Sequence, residues 1–280
     1  MRKRFQVLFA AGLVVGVAGC ATAFNYTGQG PRYAGGLAPR RASGAAVLHL
    51  VTFNIQFARQ IDSAIVLFGS AAPLEQADVI TLQEMDAPGT SRIAQALGMS
   101  YVYYPATVHP KTGRDFGNAI LSRWPIIADA KIVLPHLARF GKTERIATAA
   151  TILVGDTPVR VYSVHLATFT SEGPGSRRDQ VAAVLADAAA YPRVVVSGDM
   201  NNHGIGREFL ARGFRWPTEH NPHTELLWNW DHIFLKGLAL SDSGATGVVR
   251  NNHHASDHKA VWAVISLVAP TPSVRSIAAP

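Results

Sequence analysis

Cysteine occurs once in this chain of 280 residues, at Cys20, so no disulfide can form within it. Charge is also sparse. Asp, Glu, Lys and Arg make up 16% of the residues against 48% hydrophobic, ample for one large core of the α/β or layered β type. The middle of the chain has no Pro-, Gly- or Ser-rich linker, which argues against a division into two domains. Acidic residues are missing from the first 45 positions, where six basic residues stand. The net charge of +7 therefore shrinks to 20 basic against 19 acidic residues over 46–280. A domain so near neutrality lacks the broad positive footprint of a dedicated duplex-DNA binder. Long apolar runs are scarce too. Phe5 to Ala18, broken only by Gln6, is short for a bilayer span.

What precedes and follows that run is informative. Arg2, Lys3 and Arg4 come before it and small residues after it, as in a secretory signal. Val17-Ala18-Gly19-Cys20 resembles a bacterial lipobox, in which Cys20 would be lipid-modified and begin the mature protein. An ordinary cleaved signal with an incidental cysteine is the competing reading. Residues 1–20 are thus read as a signal peptide and 21–45 as a flexible tether rich in Gly, Ala and Pro. Arg32, Arg40 and Arg41 in the tether suit an anionic membrane surface. The expected location is the periplasmic face of a bacterial envelope membrane, reached through a lipid anchor. The expected state is a monomer.

Residues 46–280 read as one domain without internal repeats. Strand patterns at 47–54 and 78–82 flank a helical pattern over 60–72, which makes a β-α-β unit. A second helix is expected at 91–97 and a third at 176–190. Further strands are expected at 101–105, 117–122, 125–134, 145–154, 158–166, 193–197, 231–236, 238–249 and 260–268. Strand-rich halves with few helices suggest two packed mixed sheets flanked by helices.

Polar residues able to bind a cation or a phosphate fall repeatedly at strand ends. Asn54 closes the first strand and Glu84 follows the second, and a β-α-β connection brings both ends to one sheet edge. An amide oxygen and a carboxylate there suit Mg²⁺, which prefers oxygen ligands completed by water. Taken alone, a strand-end Glu is more often a solvated loop residue. His165 ends Tyr162-Ser163-Val164-His165, where a structural histidine is the alternative. Val194-Val195-Val196-Ser197-Gly198-Asp199-Met200-Asn201 puts Asp199 and Asn201 on one side of an extended chain. Asp231-His232 and Asp257-His258 each adjoin a strand, and Asp231 could orient the His258 imidazole and raise its basicity.

Seven segments in order carry a resemblance: Thr52-Phe53-Asn54-Ile55, Leu82-Gln83-Glu84, Gly117-Asn118-Ala119-Ile120-Leu121-Ser122-Arg123, Ser163-Val164-His165-Leu166, Gly198-Asp199-Met200-Asn201, Asp231-His232-Ile233 and Ser256-Asp257-His258. Together they resemble the endonuclease/exonuclease/phosphatase, or DNase I-like, superfamily from about residue 47 to 266. The resemblance implies a four-layered α/β sandwich and hydrolysis of phosphoester bonds. It also implies Mg²⁺, with Mn²⁺ as a substitute. Glu84 would be the principal ligand, assisted by Asn54, with Asp257 near the ion or its water. His258 would be general base or transition-state stabiliser, oriented by Asp231. Asp199 would orient or deprotonate the attacking water. Asn201, His165 and Asn118 would contact the phosphate.

Departures from the pattern limit the substrate. Met200 replaces the usual aromatic, and Lys259 adds positive charge beside the last Asp-His. Arg114 is read as a solvated loop residue rather than a phosphate grip. Trp216, Trp228 and Trp230 could form an aromatic rim, although core packing is expected for at least two of them. Three readings remain: an envelope hydrolase of small or lipid-linked phosphoesters, an exported nuclease, and an anchored binding protein without catalysis. Every expected catalytic residue is present, which disfavours the third. The charge balance disfavours the nuclease.

Overall fold

The computed structural model describes residues 22–36, 46–168, 170–171 and 173–267. The signal segment and Cys20 lie outside the described residues, as do positions 37–45 of the tether. The elements begin with β1 (Phe24–Asn25), β2 (Tyr33–Gly35) and β3 (Val47–Asn54), then α1 (Ile61–Phe68) and α2 (Ala72–Glu75). Next come β4 (Val79–Met85), α3 (Ala87–Leu97), β5 (Ser100–Val108), β6 (Asp115–Ser122), β7 (Ile126–Leu134) and β8 (Arg145–Val154). β9 (Thr157–His165), α4 (Pro174–Ala188), β10 (Val194–Asp199) and α5 (Gly206–Leu210) follow. The last strands are β11 (Asp231–Lys236), β12 (Ala239–Leu240), β13 (Thr246–Val248) and β14 (Val261–Ser266).

Local chemistry explains most boundaries. The helix expected at 91–97 starts at Ala87 because Asp86 caps it, accepting the Gly89 amide hydrogen at 2.8 Å. It stops where Gly98 takes the left-handed conformation, φ 62°. The pattern over 60–72 breaks after Phe68 and resumes as α2, with Pro73 in the first turn. The single strand expected at 238–249 is two short ones, separated by a turn in which Asp242 accepts the Gly244 amide hydrogen.

The reach read as a mobile tether is corrected over 22–36. Strands β1 and β2 both pair with β5, and Arg32 forms two 2.7 Å hydrogen bonds with Asp129. Pieces of two and three residues leave no period to read in the sequence.

Strands β1-β5-β6-β4-β3-β14-β12, with β2 and β13 at the side, form one sheet, and β11-β10-β9-β8-β7 the other. Both are mixed, since β3 runs parallel to β4 and β9 parallel to β10. The two sheets pack face to face. Leu48, Leu50, Val79 and Ile120 of one meet Val161, Val195, Ile233 and Leu235 of the other. On the outer faces, α1 and α3 cover Val51, Phe53, Ile80 and Leu82, while α4 and α5 cover Tyr162, Val164, Val194 and Val196. This is the four-layered α/β sandwich of the DNase I-like type.

The two-residue period of a strand gives each inward row a gradient. It is apolar at depth, carries a hydroxyl further along in β3, β9 and β10, and ends in a titratable or amide group. In β3 the row is Leu48, Leu50, Thr52, Asn54. In β9 it is Val159, Val161, Ser163, His165. In β10 it is Val195, Ser197, Asp199, and in β11, read backwards, Leu235, Ile233, Asp231. The middle layer satisfies its own polar atoms across the sheets. Thr81 and Ser197 hydroxyls lie 2.8 Å apart, and Gln83 donates to Ser163 Oγ at 3.0 Å. Gly198 permits the close approach of β10 to β9. Its φ is +143°, and a Cβ there would lie 1.9 Å from the Val164 carbonyl oxygen.

Candidate active site

The registers put three of these row ends side by side: Asp199 pairs with His165 on β9 and with Asp231 on β11. Across the sheets, Asn54 donates from Nδ2 to Asp199 Oδ2 at 3.1 Å and to Glu84 Oε1 at 3.3 Å. His165 Nε2 lies 3.5 Å from Asp199 Oδ2 and 4.0 Å from Glu84 Oε1. His258 arrives from the loop before β14. Its Nδ1 is 2.8 Å from Asp231 Oδ2, and its Nε2 is 3.8 Å from Asp199 Oδ2. Ser256 holds that loop in place, donating to the Asn54 carbonyl at 2.6 Å and accepting the His258 amide hydrogen. Seven expected residues, Asn54, Glu84, His165, Asp199, Asp231, Asp257 and His258, thus gather at one rim of the sandwich.

Glu84 reaches the rim by a local distortion. Strict alternation would send its side chain to the helical face with Ile80 and Leu82. The pairing of β4 with β6 shifts between Leu82 and Met85, and Glu84 takes φ +57°, which turns the carboxylate inward. Its Oε2 accepts the Phe57 amide hydrogen at 3.1 Å. Gln56, Phe57, Ala58 and Asn201 also hold positive φ, so backbone strain concentrates beside this carboxylate pair.

Some expected roles take a different form. Asn54 turns its nitrogen toward the carboxylates, while its oxygen accepts the Gln56 amide hydrogen at 3.0 Å, so it clamps Glu84 to Asp199. Asn118 donates to the carbonyls of Ile146 and Ser163 and pins one sheet to the other. Asn201 donates from Nδ2 to the Leu166 carbonyl, and its backbone amide hydrogen goes to Asp199 Oδ1 at 2.9 Å. Arg114 bonds the Phe57 and Ala58 carbonyls and pairs with Asp86, bracing the strained turn. Of the three tryptophans, Trp216 alone is core. Trp228 is exposed and Trp230 half-buried.

Arg145 was not among the expected residues. Its Nη1 lies 2.9 Å from the His165 ring nitrogens, and its guanidinium sits over Phe116 with 5.4 Å to the ring centroid. The readable signal is topological. β8 runs antiparallel to β9, so the first residue of β8 falls beside the last of β9. Gln56, which donates to Asp257 Oδ2 at 2.8 Å, and His109, packed edge-on to Phe57 and tilted against Phe116, were also missed.

Burial and neighbours divide the titrating groups. Burial, then Arg145, His258 and His109, drive His165 well below the ordinary histidine value, so it is a neutral imidazole. Burial also opposes charge on His258, but the charge and hydrogen bond of Asp231, with Asp199 and Asp257, outweigh it and hold its pKa well above the ordinary value. Burial pushes Asp199 up to about 7, against the pull of His258. Burial likewise raises Glu84, and Asp257 adds to this while Arg145 and His258 oppose it. His258 is therefore a proton donor at neutral pH, and Asp199 is the group poised to orient water or take its proton.

Among the described residues, no group of three or more His, Cys, Asp or Glu is arranged to hold a metal ion. An all-protein cage is not what a magnesium-type ion needs. One or two carboxylates with water suffice. Glu84, half-buried at the rim and near Asp257, supplies that hard oxygen donor set. The residues present fit such an ion.

A family model described as "Endonuclease/Exonuclease/phosphatase family" matches residues 51–258. No curated protein matches in sequence. Among solved structures, an endonuclease/exonuclease/phosphatase family protein from Leptotrichia buccalis is 17% identical, with TM-score 0.63 over 77% of this chain and 98% of that one. TDP2 of D. rerio, complexed with single-strand DNA product, is 15% identical, with TM-score 0.63 over 79% and 100%. The human Nocturnin catalytic domain with bound sulfate is 18% identical, with TM-score 0.61 over 84% and 97%. At these identities the structures establish a shared fold.

Proposed function

Because the chain belongs to the endonuclease/exonuclease/phosphatase family, whose members are hydrolases of phosphoester bonds that typically use divalent metals, we propose a magnesium-dependent phosphoesterase that attacks with activated water at the cell envelope. The observation that carries this reading is the meeting of Glu84, His165, Asp199, Asp231 and His258 at the rim where both sheets end. Glu84 and Asp257 would hold the ion, Mg²⁺ or Mn²⁺. When bound it neutralises charge growing on the phosphate oxygens. Asp199, tethered by the Asn201 amide hydrogen and the Asn54 side chain, orients the water. His258, charged and braced by Asp231, donates to the oxygen on which negative charge develops. Arg145 adds fixed positive charge beside His165.

The substrate is a small or lipid-linked phosphoester. The near balance of charge over 46–280 and the lipobox-like Cys20 support this. The second reading, an exported nuclease, draws on the likeness to D. rerio TDP2 with its single-strand DNA product. Purified protein should hydrolyse bis(4-nitrophenyl) phosphate with Mg²⁺ and lose all turnover in excess EDTA. Full activity in EDTA sinks the proposal, and faster degradation of single-stranded DNA than of any small ester selects the nuclease. For location, Cys20→Ala should move the protein from the membrane to the soluble fraction. Unchanged partitioning removes the lipid anchor.

A further inference from the structure

Residues 211–230, between α5 and β11, run beside β11, where Arg215 pairs with Leu235, and reach the rim beside Asn201. The turn at 224–228 is closed by the Thr224 and Glu225 amide hydrogens on the Trp228 carbonyl, at 2.9 and 3.0 Å. Trp230 is tied on both sides. Its carbonyl accepts the Met200 amide hydrogen at 2.8 Å, and its own amide hydrogen goes to Thr224 Oγ1 at 3.2 Å. The Trp228 and Trp230 rings are stacked, 5.6 Å between centroids and 9° between planes. A cavity of about 620 Å³ is bordered by these two indoles and by Asn201, Asn202, His203 and Glu219, among others.

We propose that this cavity seats an uncharged, hydrogen-bonding ring of the phosphoester substrate, a nucleobase or a sugar, against Trp228 and Trp230. The proposal rests on the phosphoesterase reading and names the group attached to the scissile phosphate. Position is the first argument. Asn201 stands two residues from Asp199 and Trp230 adjoins Asp231, so the cavity opens beside the groups that act on phosphate.

Charge is the second argument. Among the described residues bordering the cavity there is no Lys or Arg, and Glu219 is the one carboxylate. Arg145 and Arg59 lie instead with Phe116 and Phe57, on the Glu84 side of the site. A polyanionic chain crossing the cavity would meet Glu219 and a single ammonium at its edge, Lys259, whose Nζ is 3.3 Å from the His223 carbonyl, too little positive charge to track a run of phosphates.

Chemistry is the third argument. Stacked indoles offer flat apolar faces to a ring. The amides and histidine at the border offer hydrogen bonds for its edge, in a space large enough for a nucleoside-sized group. Asn221 Nδ2 and Asn229 Oδ1, on residues at the same border, have no partner within the protein.

Trp228→Ala tests this, since Trp228 is 52% exposed and its loss leaves the core intact. Two esters with one leaving group are compared: thymidine 5′-(4-nitrophenyl phosphate), and methyl 4-nitrophenyl phosphate, which lacks the second ring. The expected result is a KM raised about tenfold for the thymidine ester with kcat nearly unchanged. The methyl ester should be unaffected, and Trp228→Phe should restore most of the loss. Equal changes for both esters, or none for either, overturn the proposal. Calorimetric binding without metal gives a readout independent of turnover, using thymidine 5′-phosphate, glucose 1-phosphate and inorganic phosphate. Wild type should bind at least one ring-bearing phosphate about tenfold more tightly than inorganic phosphate, and Trp228→Ala should not. The preferred ring identifies base or sugar. Equal affinity for all three overturns the ring seat even if hydrolysis is confirmed, and a ring preference without hydrolysis indicts the enzyme reading alone.

Discussion

His258→Ala is expected to lower kcat about a thousandfold and, at the same time, to destabilise the domain by about 3 kcal/mol. The kinetic loss follows from geometry. The imidazole sits between Asp231, at 2.8 Å, and Asp199, at 3.8 Å, and is a charged, buried proton donor beside the water-orienting carboxylate. The loss of stability follows from Asp231, whose residue is fully buried and whose Oδ1 has no hydrogen-bond partner. Removing the imidazole leaves that carboxylate without its charge partner in a low-dielectric site. Adding Asp231→Asn removes the stranded charge, so the double variant should recover most of the stability and none of the activity. Denaturant unfolding and steady-state kinetics on the three proteins decide this. A double variant as unstable as His258→Ala, or a single variant that keeps a tenth of wild-type kcat, contradicts the pairing.

Glu84→Gln is expected to abolish the response to Mg²⁺, both in turnover and in unfolding temperature. An ion bound by the folded state alone stabilises it by about 2.7 kcal/mol at a hundred times its dissociation constant. Wild type should gain on that order on adding Mg²⁺, and the variant nothing. Without metal the sign reverses. Burial raises the Glu84 pKa above its unfolded value, so the ionised carboxylate costs stability above that folded pKa, and the cost disappears below the unfolded one. The neutral isostere avoids this cost, so metal-free Glu84→Gln should be at least as stable as metal-free wild type at neutral pH. Differential scanning calorimetry with EDTA or Mg²⁺ checks both halves. An equal Mg²⁺ shift in the two proteins rules Glu84 out as a ligand.

The row ends illustrate what can be read along a chain. His165, Asp199 and Asp231 continue apolar series with a period of two, so their inward direction follows from Val161, Val195 and Ile233. Asn54 follows Leu48 and Leu50 in the same way. Glu84 was legible as a residue type in Leu82-Gln83-Glu84 but not in direction, because a bulge and a left-handed backbone reverse what alternation predicts. Arg145 was illegible for another reason. Its importance comes from lying across from the end of β9, a neighbour twenty positions away. Core packing was expected for at least two of Trp216, Trp228 and Trp230 because indoles are usually buried, and only the path of the loop leaves Trp228 exposed and Trp230 half-buried.

By itself, the order of strands, helices and polar strand ends determined that two mixed sheets would pack with chemistry at one rim, because alternation and turn residues act within a few positions. The tertiary structure decided which atoms meet there: that Asn54 presents its nitrogen, that Glu84 turns inward, and that Arg145 faces His165. Those outcomes depend on strand register and on how one sheet settles over the other. The sheet-on-sheet contact of Asn54 with Asp199 joins residues 145 positions apart, and even the nearer pair Arg145 and His165 meets only through the register of two strands, which no local pattern encodes.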